Sequence, residues 1–257
     1  NIFKDDSGVQ KDGMVILKEH GINALRFRVW VDPEGGWHGK DDVVYLSKRA
    51  HDLGLKVMIN FHYSDSWADP GKQYKPAAWE DHTFEELLED VYDHTYEILD
   101  TLKKTGITPA WVQVGNETRR GMLWPDGHTD NGFSNFTQLI NKGYDAVKAI
   151  DSSIMVVNHL DNGHDNSLYR WMHDGLNDNG AKYDIIGMSA YPRWSKLDGP
   201  TLISRVISNL NDMKSRYNKE LMVVESGHYW HEPYVANNYL VELMKALMDE
   251  GGTGTFY

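Results

Sequence analysis

Short apolar runs alternate with longer amphipathic stretches along the whole chain. Runs of β-branched and aromatic residues lie at 24–30 (ALRFRVW), 56–62 (KVMINFH), 111–116 (WVQVGN), 154–159 (IMVVNH), 184–191 (DIIGMSAY), 221–225 (LMVVE) and 252–257 (GTGTFY). Stretches with helical spacing fill the intervals at 11–20, 42–53, 84–104, 134–150, 167–176, 201–217 and 237–249. In 84–104, Leu87, Leu88, Val91, Tyr92, Ile98 and Leu102 recur at that spacing with acidic residues between them. Strict strand–helix alternation requires parallel strands joined by crossover helices. Gly21, Gly54 and Gly106 fall just before strands, where a left-handed cap ends a helix.

The segments that follow the strands are long and polar, rich in Trp, His, Asp, Pro and Gly, as in DPEGGWHGKDD, YSDSWADPGKQYKPAAW and ETRRGMLWPDGHTDNG. Long polar loops on the C-terminal side of parallel strands predict a (β/α)8 TIM barrel with its site at that mouth. An open doubly wound sheet competes, but no Gly-rich phosphate fingerprint follows any strand. The pattern gives seven strand starts and a barrel needs eight. The expectation is therefore one catalytic barrel domain over 1–257, truncated at both ends, with the first strand missing and the eighth cut short.

Composition narrows the function. The chain has 257 residues, 38 acidic and 26 basic side chains and a formal net charge of -12. Such a surface repels phosphate backbones, so nucleic acid is not an expected partner. No run approaches the roughly 20 apolar residues of a transmembrane helix. Cysteine is absent, which removes disulfides and thiolate chemistry. Nine Trp and fourteen Tyr are a surplus beyond core packing, and flat aromatic faces hold sugar rings.

Two carboxylates stand at strand ends, Glu117 after 111–116 and Glu225 closing 221–225. With a missing first strand counted they belong to strands four and seven, which face each other across a barrel. Such a pair suits glycoside hydrolysis, Glu117 as general acid/base and Glu225 as nucleophile, with the acid's pKa raised by its neighbour. Asn116 is placed to bond a sugar 2-hydroxyl. Alternation along 24–30 turns Arg26, Arg28 and Trp30 inward. Arg28, nearer the mouth, is expected to contact Glu225, and Arg26 to serve a structural ion pair. The same parity points Asn60 and His62 inward, and Tyr191 is placed to hydrogen-bond Glu225. Trp67, Trp124, Trp194 and Trp230 in the loops are candidates for stacking sugar units. A metal-dependent hydrolase is the competing idea, from His62, His159 and the pair His228 and His231. The spacings match no zinc pair, and no metal site is expected. Residues 161–165 (DNGHD) lack the closing Glu of a calcium loop and read as a turn and helix cap.

The segments GINALRFRVWVDP (21–33), FHYSDSWADPGKQ (61–73), WVQVGNE (111–117), DNGHDNSLYRW (161–171), YDIIGMSAYP (183–192) and VVES (223–226) together resemble the family 53 glycoside hydrolases, endo-β-1,4-galactanases. The resemblance spans nearly the whole chain, and HYSDSWADPGKQ is its most specific part. It implies a retaining (β/α)8 barrel that cleaves β-1,4-galactan side chains of pectin and galacto-oligosaccharides, without a cofactor. It implies a monomer acting outside the cytoplasm, as an extracellular, cell-surface or periplasmic protein. Asn60 stands where the family often has Asp, ESGHYW replaces ETAYPW, and no Asp-rich calcium motif follows Glu225. The alternatives are another β-glycanase of the same clan, acting on mannan, xylan or glucan, and a non-catalytic glycan-binding barrel.

Overall fold

The alternation of side chains along each apolar run decides which face is interior. In β1 (Ala24–Val29), Val29 is buried and Leu25 and Phe27 pack on the outer core, leaving Arg26 and Arg28 on the other face. β2 (Lys56–Phe61) and β3 (Trp111–Val114) repeat the pattern, and a two-residue hairpin, β4 (Gly121–Met122) with β5 (Gly127–His128), stands in the loop beyond β3. β6 (Met155–Leu160), β7 (Ile185–Ala190) and β8 (Glu220–Ser226) complete the larger sheet. All its pairings are parallel, in the order β1-β2-β3-β6-β7-β8. The computed structural model describes residues 2–250 and 255–256.

This sheet is curled. In a flat sheet the outer strands of six would lie about 24 Å apart, yet the Arg26 Nη1 of β1 lies 2.8 Å from Glu225 Oε1 of β8. The architecture is a (β/α) barrel seen over most of its circumference. The run at 252–257 falls mostly outside the described residues, but Thr255 bridges in parallel to Val223 and the Phe256 ring meets Trp111 edge-on. Inside, Met58, Val157, Ile185, Met222 and Val224 form an apolar floor. Above it toward the C-terminal ends lie Arg26, Asn60, Gln113, His159, Ser189 and Glu225, so the interior turns polar at the mouth.

The helices cover the outside. They are α1 (Gly13–Glu19), α2 (Lys40–Asp52), α3 (Phe84–Lys104), α4 (Ser134–Ile150), α5 (Asn166–Asp178), the single turn α6 (Pro192–Ser195), α7 (Gly199–Tyr217) and α8 (Pro233–Asp249). α3 starts at a capping box, with Thr83 and Glu86 each bonding the other's backbone N–H, and buries Leu87, Val91, Ile98, Leu99 and Leu102. Leu88 and Tyr92, expected on that stripe, sit at its half-buried margin. Gly21, Gly54 and Gly106 have φ of 91°, 72° and 83°, the left-handed turn that lets each helix stop and the next strand start. α6 and the hairpin were not legible from periodicity, because neither is long enough to show a period.

Candidate functional site

The mouth is built by irregularities at the strand ends. After β3, Gly115 adopts φ 81° and Glu117 φ 48°, a left-handed backbone uncommon for a side-chain-bearing residue. A Cβ on Gly115 would lie 2.7 Å from Thr118 Cγ2, so glycine is required there. This turn swings the Glu117 side chain back over the barrel. In β8 a bulge does the corresponding work. Met188 pairs with Val223, but Ser189 pairs with Glu225, so Val224 is an extra residue. Simple alternation would send Glu225 outward with Val223; the bulge turns it inward beside Val224.

The two carboxylates therefore meet. Oxygens of Glu117 and Glu225 and a ring nitrogen of His159 all lie within 4.8 Å of one another. Ser189 Oγ donates to Glu117 Oε1 at 2.7 Å. Burial, and then the Glu225 charge, push the Glu117 carboxyl up to about 8. Glu225 has different company: Arg26 pairs with Oε1 at 2.8 Å and the Tyr191 hydroxyl donates to Oε2 at 3.2 Å. Burial and the Glu225 charge raise the Tyr191 phenol above its ordinary range, so it stays a donor. One carboxyl is thus held protonated at neutral pH and the other is tied to a guanidinium.

Beneath them is an amide network in which the Asn60 and Gln73 side-chain oxygens alone are left without a partner among the described residues. Arg26 donates to Gln113 Oε1 from Nε at 3.2 Å and from Nη2 at 3.0 Å, and to Asn116 Oδ1 at 3.0 Å. Asn116 Oδ1 also accepts from Asn60 Nδ2 at 3.1 Å, while its own Nδ2 donates to the Ala68 carbonyl at 3.0 Å. Gln73 Nε2 donates to the Asn116 carbonyl at 2.7 Å, clamping the loop after β2 to the turn that carries Glu117.

The arginine expected at Glu225 is not the one found there. Arg26, not Arg28, contacts Glu225. An Arg side chain reaches about as far as two residues of strand rise, ~6.6 Å, so the deeper Arg26 arrives at the level of the mouth and Arg28 overshoots it. Arg28 instead places Nη2 2.9 Å from His38 Nε2 and its guanidinium 3.9 Å above the Trp67 ring.

The other expected residues divide between core and rim. His62 is buried, its Nδ1 accepting from the Ala68 N–H at 3.1 Å, with Trp30 and Trp67 edge-on to its ring. Burial holds its pKa well below the ordinary value, so it is neutral. Trp67 is half exposed at the mouth. Trp124 is half buried, donating from Nε1 to the Arg120 carbonyl at 2.9 Å. Trp194 is 65% exposed, with Arg193 over its ring at 4.6 Å, and Trp230 is 88% exposed. Residues 161–165 form the turn into α5, whose N-terminus Asp165 caps. Asp161 pairs with Arg119 at 3.2 Å, and burial raises its carboxyl to about 6.

Sequence reasoning passed over Gln113 and Ser189. The signal was present, since both take the inward parity on their strands, but an inward Gln or Ser carries no motif. Among the described residues, Glu117, His159 and Glu225 are the one group of three spaced to hold a metal ion. Their ligand atoms face other partners: the His159 nitrogens meet Gln113 and Ser189, Glu117 Oε1 meets Ser189, and the Glu225 oxygens meet Arg26 and Tyr191.

The family model for glycosyl hydrolase family 53 matches residues 1–257. An uncharacterised protein of Niallia circulans is 40% identical over 89% of this chain and 63% of its own length. An arabinogalactan endo-β-1,4-galactanase of Thermothelomyces thermophilus is 36% identical over 88% of this chain and 68% of its own. The chain thus spans about two thirds of the length of these relatives. The Ignisphaera aggregans GH53 catalytic domain superposes with a TM-score of 0.91 at 32% identity, covering 100% of this chain and 79% of that one. With its fold and the family match over residues 1–257 in agreement, the chain belongs to glycosyl hydrolase family 53.

Proposed function

We propose that the protein is an endo-acting, retaining β-1,4-galactanase. The observation that carries the reading is the pair of carboxylates at the barrel mouth with oxygens within 4.8 Å, one raised to about 8 and the other paired with Arg26. Retaining glycosidases hold their carboxyl groups about 5–5.5 Å apart, whereas inverting ones leave about 6.5–9.5 Å for a water. The curated relative from Thermothelomyces thermophilus carries the galactanase name, which supports galactan as the substrate.

In this mechanism Glu225 attacks the anomeric carbon while Glu117 gives its proton to the departing glycosidic oxygen. The ester formed on Glu225 carries no charge, so the electrostatic push on Glu117 ends and its pKa falls. Glu117, now a carboxylate, takes a proton from the water that hydrolyses the intermediate. Asn116, with a second N–H beyond the one bound to Ala68, is placed to bond the sugar 2-hydroxyl. Trp67, Trp124, Trp194 and Trp230 line the path of the chain, with His62 and Arg28 shaping the wall beneath Trp67. A polymer found outside cells places the reaction there, and among the described residues no helix is long and apolar enough to cross a membrane.

The test is reducing-end release from galactan, mannan, xylan and cellulose. Galactan is the expected substrate, and activity confined to the other three overturns the assignment. Glu117→Gln is expected to lose about 10²–10⁴-fold in rate on galactan. Proton NMR of the first products should show the β anomer, and the α anomer appearing first would refute retention.

A further inference from the structure

We infer that Glu225 and Glu117 are joined by one directed hydrogen-bond chain, Arg26–Gln113–His159–Ser189, which keeps Ser189 donating to Glu117 Oε1 and so confines the acid's proton to Oε2. The inference rests on the reading of Glu117 as acid/base and makes Gln113, His159 and Ser189 positioning residues for it.

The direction follows from counting donors. Arg26 has only N–H groups to offer, and two of them point at one atom of the Gln113 amide, at 3.2 and 3.0 Å. That atom must be the carbonyl oxygen, which fixes the other as the NH2. Gln113 Nε2 then faces His159 Nδ1 at 2.9 Å and the Gly115 carbonyl at 2.9 Å. The backbone N–H of Glu117 also points at His159 Nδ1, at 3.3 Å, and a backbone amide cannot turn round. With two donors aimed at it, Nδ1 must be the bare nitrogen, and the ring proton sits on Nε2. Burial, and then the nearby Arg26 charge, hold this fully buried imidazole neutral. Nε2–H donates to Ser189 Oγ at 2.8 Å. The Ser189 hydroxyl has a single proton, and the next acceptor is Glu117 Oε1 at 2.7 Å.

Every rotor in the chain is therefore set by a group that cannot reverse: a guanidinium at one end and a peptide N–H in the middle. The guanidinium that starts it is the one that holds Glu225. The positions of the two carboxyls are thereby coupled through buried polar groups, and the acidic proton is presented on the oxygen away from Ser189. A buried network of this kind is stiff because every member is satisfied.

The ¹⁵N chemical shifts of His159 test the direction. The expected result is the neutral Nε2–H tautomer at all pH from 5 to 9; an Nδ1–H tautomer or an imidazolium overturns the chain. In Gln113→Glu a carboxylate oxygen replaces the NH2 at 2.9 Å from Nδ1 and leaves only the longer Glu117 N–H contact as a donor, so His159 should shift toward a form with Nδ1 protonated, and an unchanged tautomer overturns the role of Gln113. Kinetics test the consequence. Ser189→Ala is expected to lower kcat/KM on galactan about 10- to 100-fold, the scale of one hydrogen bond to a charged group. It should lose less than about threefold on 2,4-dinitrophenyl galactobioside, whose leaving group needs little protonation. The charged groups facing Glu117 are Glu225 on β8, Asp161 beyond β6 and Arg26 on β1, and none is altered by the substitution. Loss of the bond that favours the carboxylate should thus move the alkaline limb of kcat/KM to higher pH, and Ser189→Thr should restore it. Equal losses on both substrates with an unmoved pH profile overturn the positioning role. Should Glu117→Gln hydrolyse galactan normally, the acid/base reading fails while the tautomer of His159 still stands or falls alone.

Discussion

A carboxyl raised to about 8 is a cost to the fold as well as a tool. Glu117 in an unfolded chain titrates near ~4.3, so the folded state holds its proton over a window in which the unfolded state has released it. Stability from this group is fully present below the unfolded value, declines as pH rises, and is lost once pH passes the folded value. Glu117→Gln keeps an oxygen to accept from Ser189 and has nothing to ionise. The variant should therefore match the wild type near pH 4 and exceed it increasingly up to pH 9, by roughly 10 °C or more in Tm, since a rise from ~4.3 to about 8 is on the order of 5 kcal/mol and about 1 kcal/mol corresponds to ~2–4 °C at this size. Calorimetry at both pH values checks the sign, and a variant less stable at pH 9 than at pH 4, relative to wild type, contradicts the raised pKa. The same physics separates what the sequence told about these residues from what it did not. That two glutamates stand at strand ends is a matter of order along the chain. Which arginine reaches Glu225 depends on side-chain length against strand rise, and there the residue closer in sequence to the mouth was the wrong one.

At the scale of elements, the site depends on two local departures from regular backbone. The bulge at Val224 and the left-handed turn at Gly115 and Glu117 each aim a carboxylate that a regular strand would leave elsewhere. Neither was legible in sequence, because a bulge adds no distinctive residue here and Gly115 reads simply as the end of a strand. Gly187 belongs to the same construction: it faces inward, and a Cβ there would lie 2.7 Å from Val157 Cγ1 and 3.2 Å from Val224. The turn offers the cleaner test. Gly115→Ala forces a Cβ toward Thr118 and places alanine at φ 81°. The left-handed conformation alone costs about 1–2 kcal/mol. The expected outcome is a destabilisation of about 1–3 kcal/mol in denaturant titration. A fall in kcat on galactan of at least about tenfold should accompany it as Glu117 is displaced, the scale of a misplaced catalytic group. Unchanged kcat with the same loss of stability would show that the turn is structural and does not aim Glu117.

For the whole molecule, alternation was sufficient to read the barrel, because parallel strands with crossover helices leave few topologies open. Curling lets side chains of β1 and β8 meet across the interior and converts six strand ends into one polar mouth above an apolar floor. Net charge acts at the same scale. At -12 the molecule carries a long-range negative field. A neutral galactan does not feel it, so the rate on isolated galactan should change less than about twofold between 10 and 150 mM salt, where the Debye length falls from about 30 to 8 Å. Galactan still attached to a uronate-rich backbone is a polyanion. Like-charge repulsion should slow its encounter with the mouth at 10 mM salt, and screening should raise kcat/KM toward the isolated-chain value at 150 mM. Initial rates on the two substrates at both salt concentrations decide the matter. A rate on the charged polymer that falls with salt would mean that a local basic patch governs docking and the overall charge does not.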